Sequence, residues 1–98
     1  MKTKSEYIAL IQASDKYLSK LGIRTLRIFG SVARDDQTAD SDVDICVETE
    51  TPNPFLLMDA KSFLENLFGC GVDIVRFRQN MNPYLKQQIE KEGVYVIQ

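Results

Sequence analysis

The sequence contains no histidine. That absence excludes Ser-His-Asp triads and histidine general-base chemistry. Acid–base work is left to Asp, Glu, Lys, Tyr or water. Cysteine is nearly missing too: Cys46 and Cys70 sit inside apolar segments, with no Cys-x-x-Cys pair. A zinc site of the usual Cys/His kind is therefore not expected, and two unpaired, buried-type thiols suit a reducing cytoplasm. No apolar run approaches the roughly 20 residues that a membrane span needs. Nor does an apolar stretch follow Met1-Lys2-Thr3-Lys4, so no secretory signal is expected. Basic and acidic residues nearly balance, 12 against 14. The net charge is −2 with an isoelectric point near 5.0, so no global basic field draws nucleic acid.

What is present suits a single small domain over residues 1–98. A chain of this size buries roughly 60–70% of its unfolded surface, enough for a core without metal or disulfide staples. Tyr7, Ile11, Ser14, Leu18 and Leu21 recur at helical spacing, which predicts one amphipathic helix from about Ser5 to Leu21, stopped by Gly22. Thr25 to Phe29 reads as a strand. Gly30-Ser31 turns the chain into a short helical turn ending at Arg34, and Asp35 to Ser41 is a polar loop. Asp42 to Val47 alternates polar and apolar residues and reads as a second strand. Asn53-Pro54 and Asn82-Pro83 are helix starts, each with a cap and a proline at the first helical position. Those helices end at Gly69 and Gly93. Val72 to Phe77 is a third strand, and Val94 to Ile97 a short strand expected at a sheet edge. The order αβαβαβαβ predicts an α/β (α+β) fold in which helices flank a small mixed sheet.

Residues 30–45 carry the chemistry. Gly30 lets backbone approach an anion closely. The N–H groups of Ser31 and Val32 open a helical turn where phosphate is favoured, and Ser31 adds a hydroxyl. Arg34, one turn on, can reach a phosphate or a partner protein. Ten residues separate Ser31 from Asp42. If Val43, Ile45 and Val47 face a core, Asp42 and Asp44 share the opposite face. Two carboxylates this close repel by about 1–4 kcal/mol at effective dielectrics of 80 to 20. A cation or a shifted pKa relieves that repulsion, and oxygen-only ligands suit Mg²⁺. Asp73 is a third carboxylate, set in an otherwise apolar strand. Should that strand adjoin the Asp42–Asp44 strand, three acids converge as a two-metal arrangement requires. Each piece alone has a blander explanation: a solvated Asp-x-Asp face, an ordinary turn, an edge-strand acid, a surface arginine, and a core-filling Cys46. Their ordered combination is what points to phosphoryl or nucleotidyl transfer.

Gly30-Ser31, Ser41-Asp42-Val43-Asp44-Ile45 and Val72-Asp73-Ile74-Val75 together resemble the signature of the DNA polymerase β-like nucleotidyltransferase superfamily. The short length and the ending from Asn82-Pro83-Tyr84-Leu85 to Gly93-Val94-Tyr95-Val96-Ile97 resemble its minimal nucleotidyltransferase (MNT) branch. The resemblance implies a nucleoside triphosphate, ATP, bound with two Mg²⁺ ions over the sheet. Asp42 and Asp44 would hold metal, with Asp73 completing the second site and helping deprotonate an acceptor hydroxyl. Gly30 and Ser31 would hold the triphosphate. Members of the branch are commonly antitoxins paired with a HEPN-domain ribonuclease toxin, and some transfer AMP onto a toxin tyrosine. The implied partners are thus a nucleotide and a toxin in a hetero-oligomer, with no direct nucleic acid and no membrane. One position departs from the pattern: the branch often has glycine after the arginine of its first motif, and this chain has Asp35. Three other readings compete: an antitoxin that works by binding alone, a transferase acting on a small-molecule hydroxyl, and, ranked last, a polymerase or RNA-tailing enzyme.

Overall fold

A computed structural model describes residues 2–98. Four strands, β1 (Ile23–Phe29), β2 (Val43–Thr49), β3 (Val72–Arg76) and β4 (Val94–Ile97), form one sheet in the order β3-β2-β1-β4. β1 pairs antiparallel with β2 and β4, whereas β2 and β3 run parallel. The sheet is therefore mixed, and β4 lies at an edge as its short apolar run suggests. Helices α1 (Lys4–Ala13), α2 (Asp15–Lys20), α3 (Gly30–Arg34), α4 (Pro54–Phe68) and α5 (Pro83–Glu92) complete the chain.

The period of two in β2 sorts its side chains between two cores. Val43, Ile45 and Val47 enter the larger cluster with Leu26 and Ile28 of β1, Ile11 and Leu18 of α1 and α2, and Ala60 and Leu64 of α4. On the opposite face Cys46 joins Phe29 and Ile89 in a smaller cluster beneath α5. Burial pushes the Cys46 thiol up to about 11, with Arg27 pulling the other way. It is a core filler without thiolate reactivity near neutral pH. Arg27 is itself buried on this face, its guanidinium 4.8 Å from the Phe77 ring centre and 4.7 Å from that of Tyr95. The cation–π sandwich ties β1, β4 and the end of β3 together.

The helix starts follow the sequence. Asn53 Oδ1 accepts from the Phe55 N–H at 2.9 Å, and Asn82 Oδ1 from those of Tyr84 and Leu85 at 2.9 and 3.2 Å. Gly69 ends α4 in the left-handed region at φ 73°. Two expectations need correction. The single helix expected from Ser5 to Leu21 is two helices with a break at Ser14. The Ser14 hydroxyl donates back to the Leu10 carbonyl at 3.0 Å, and its backbone sits at φ −106° and ψ 12°. Such back-bonding bends a helix, and helical spacing alone does not reveal it. Strand β2 also starts one residue late. Asp42 stands exposed ahead of it, after a turn in which the Ser41 N–H donates to the Thr38 carbonyl and the Thr38 N–H to Ser41 Oγ, each at 3.0 Å. Pairing begins where the Val43 N–H donates to the Gly71 carbonyl at 3.0 Å.

Candidate active site

The parallel pairing of β2 and β3 decides where the acids stand. Asp44 and Asp73 are register partners on adjacent strands, so the condition for convergence is met. Asp42 reaches the same end of the strands from just outside β2. Its carboxylate lies so close to Gly71 that a β carbon there would contact Oδ1 and approach Cγ to 3.1 Å. Gly71, which the sequence reading did not single out, is thus the close-approach residue beside Asp42. No signal in the sequence separates it from any other loop glycine.

Asp44 is half-buried, and its pKa is raised. Burial is the main cause, followed by the charges of Asp73 and Asp42; Arg34 opposes the shift and Glu92 adds to it. The field at Asp44 therefore comes from β2, β3, α3 and α5 together. It is an excess of negative charge that a divalent cation would relieve. Among the described residues, no three acidic or thiol side chains stand close enough to cage an ion unaided. That does not exclude Mg²⁺, which commonly takes one or two carboxylates and fills the rest of its shell with water and substrate phosphate oxygens. The all-oxygen donor set of Asp42, Asp44 and Asp73 fits such an ion.

The turn expected to hold phosphate begins at the end of β1. Gly30 is buried at φ 73°, and a β carbon there would collide with the Asp44 carboxylate. Glycine is required twice over, by backbone conformation and by space. The chain then turns into α3, so the Ser31 and Val32 N–H groups open a helical turn next to the acids. Arg34 ends that turn. Its Nε donates to Asp36 at 3.0 Å and its Nη1 to Glu92 at 2.9 Å. These two carboxylates raise the guanidinium pKa further. Arg34 thereby links α3 to α5, with donors of its fork still to spare. Glu92, passed over in the sequence as the end of a helix, belongs to the electrostatic surroundings of the site. Asp35 adopts φ 62° and ψ 30° as the cap of α3. This is the left-handed conformation that glycine takes most easily and that aspartate tolerates better than most residues. The Asp35 departure thus keeps the turn shape at a small conformational cost.

A glycine-opened turn thus stands against carboxylates from two parallel strands at one end of a mixed sheet. The nucleotidyltransferase domain family matches residues 10–96; the chain belongs to that family and is a nucleotidyltransferase. Similar proteins place it among the minimal nucleotidyltransferases. It is 40% identical over 98 residues to a Methanocaldococcus jannaschii protein provisionally named a protein adenylyltransferase, MJ0128, covering 98% of this chain and 100% of that one. It is 33% identical to the protein adenylyltransferase MntA of Thermococcus cleftensis, covering 98% of each. A solved structure described provisionally as a minimal nucleotidyltransferase superposes with a TM-score of 0.78 at 32% identity over 95% of both chains. The fold also matches, at 19% identity and a TM-score of 0.64, a structure of a tri-AMPylated Shewanella oneidensis HEPN toxin in complex with MNT antitoxin. That match covers 91% of this chain and 71% of that one.

Proposed function

We propose that this nucleotidyltransferase, assisted by Mg²⁺, transfers AMP from ATP to a tyrosine hydroxyl of a HEPN-type toxin, and so acts as the toxin's antitoxin. The observation that carries this reading is the contact of Gly30 with Asp44 beside the Asp44–Asp73 register pair, which sets a phosphate turn against paired carboxylates. Support for a protein acceptor comes from the relatives named protein adenylyltransferase, which match this chain along nearly its whole length.

Each residue then has a role. Gly30 and the Ser31 N–H and hydroxyl would hold the triphosphate, and Arg34, which links α3 to α5, would offer its remaining donors to it. Asp42 and Asp44 would hold metal, and Asp73 would complete a second site. Bound Mg²⁺ would supply charge neutralisation at the phosphates. The acceptor oxygen forms a bond to the α-phosphorus as the bond from phosphorus to the pyrophosphate oxygen breaks. Asp73 takes the hydroxyl proton, and pyrophosphate leaves with the electron pair.

Incubating the chain with its partner toxin, ATP and Mg²⁺ should add the mass of AMP to the toxin, and Asp42→Asn should abolish the gain. A toxin left unmodified at saturating ATP would sink the proposal. The capture of Arg34 by Asp36 and Glu92 favours one second reading, neutralisation by binding alone. On that reading Asp44→Asn still silences the toxin fully.

A further inference from the structure

The sheet ends on β3, and that edge is open. β3 joins β2 through the Phe77 N–H, which donates to the Val47 carbonyl at 2.8 Å, and through the Gly71 carbonyl, which accepts from Val43 at 3.0 Å. Successive residues of a strand turn their backbone groups to opposite sides. Gly71, Asp73, Val75 and Phe77 therefore bond inward, and Val72, Ile74 and Arg76 present theirs outward. The Val72 N–H donates to the Glu65 carboxylate at 3.2 Å. Among the described residues, nothing takes up the outward groups of Ile74 and Arg76.

Those groups border a cleft of about 460 Å³ between the starts of α4 and α5. Leu57, Ile74, Val75, Met81 and Leu85 give it an apolar lining. Its charged lining residues are Arg76 and Arg78, with no acid among them, on a chain of net charge −2. Neither arginine has a carboxylate partner among the described residues. Large apolar side chains stand exposed on the same two helices: Phe55 at 72% and Met58 at 64% on α4, and Tyr84 at 84% on α5. Exposed aromatic and Met side chains on the two helices that border a cleft are the composition of an interaction surface. A second copy of the chain would bring two more arginines to the same edge, so like charge opposes self-pairing.

We infer that the β3 edge is a docking site for an extended, acidic segment of a partner protein, which adds to the sheet as a fifth strand. Its backbone pairs with Ile74 and Arg76, its apolar side chains enter the cleft, and its carboxylates meet Arg76 and Arg78. Docking does not depend on AMP transfer, because none of these residues belongs to the catalytic constellation.

The test uses the full chain with three probes: a short capped peptide alternating glutamate and valine, its lysine–valine counterpart, and an oligothymidylate. The glutamate peptide should slow amide exchange at Ile74 and Arg76 by about tenfold near saturation, with β1 amides unchanged, and the lysine peptide should not. Asp42→Asn should bind the glutamate peptide as wild type does. Arg76→Glu combined with Arg78→Glu should reverse the preference between peptides, and the paired Lys substitutions should keep it. The inference is overturned by no protection at these amides, equal protection by both peptides, protection at β4 instead, or tighter binding of the oligothymidylate. Dimerisation of the chain through β3 would overturn it as well.

Discussion

Asp44 is the residue at which structure and chemistry pull hardest against each other. Its pKa is raised by burial and by Asp73 and Asp42, so its ionised form costs stability in the metal-free protein. The cost is present above the raised pKa and vanishes once pH falls below the ordinary carboxylate range, where folded and unfolded states are both protonated. Without metal, Asp44→Asn should therefore be the more stable protein near pH 7, and the difference should shrink as pH falls through the carboxylate range. Denaturant melts of both proteins across pH decide this, and a gap that widens towards acid pH would contradict it. Gly30 carries the opposite expectation. In Gly30→Ala a β carbon meets the Asp44 carboxylate in a backbone of φ 73°. The left-handed conformation alone costs an alanine about 1–2 kcal/mol, so the variant should lose at least that much stability in denaturant melts. It should also lose most nucleotide-dependent activity.

The element most exposed to a single change is α5. It covers its face of the sheet through a small cluster in which Ile89 is fully buried with Phe29 and Cys46. Ile89→Ala should destabilise the protein by about 2–5 kcal/mol, as measured by urea unfolding. It should also loosen Glu92 from Arg34, and a loss no larger than that of a surface substitution would refute this account of α5. At this scale much of the fold was legible in the sequence. Apolar alternation located the strands, and Asn-Pro pairs located the starts of α4 and α5. Both signals are local and chemically specific. The break at Ser14 was hidden because a hydroxyl can bond backward without disturbing apolar spacing. The strand order, and with it the register of Asp44 with Asp73, was also hidden. It depends on which strands pair, and no local pattern encodes that. Gly71 and Glu92 were missed for the same reason, since they meet the acids only through the parallel pairing and the packing of α3 on α5.

At the scale of the whole molecule, the site joins strands whose chain positions lie far apart, and it lacks a ready-made cage for an ion. Metal and nucleotide should therefore stabilise the fold jointly. Mg²⁺ with ATP at about 100 times the dissociation constant should add about 2.7 kcal/mol, read as a rise in melting temperature, and Mg²⁺ alone should add little. Asp42→Asn should show a smaller joint shift than wild type. Equal shifts in the two proteins would count against ligation by Asp42. The charge of the molecule fits the inferred docking edge: on a chain of net charge −2, the cleft lined by Arg76 and Arg78 is a local exception to the overall field.

The fit of Gly30 against Asp44 also bears on heredity. Every other amino acid that a single base change in a glycine codon can encode carries a β carbon. At this position each would meet the Asp44 carboxylate. No neutral intermediate leads away from glycine, so a lineage that keeps the activity must keep that codon family. Loss of the activity alone does not free this codon, because the same β carbon also costs the fold stability.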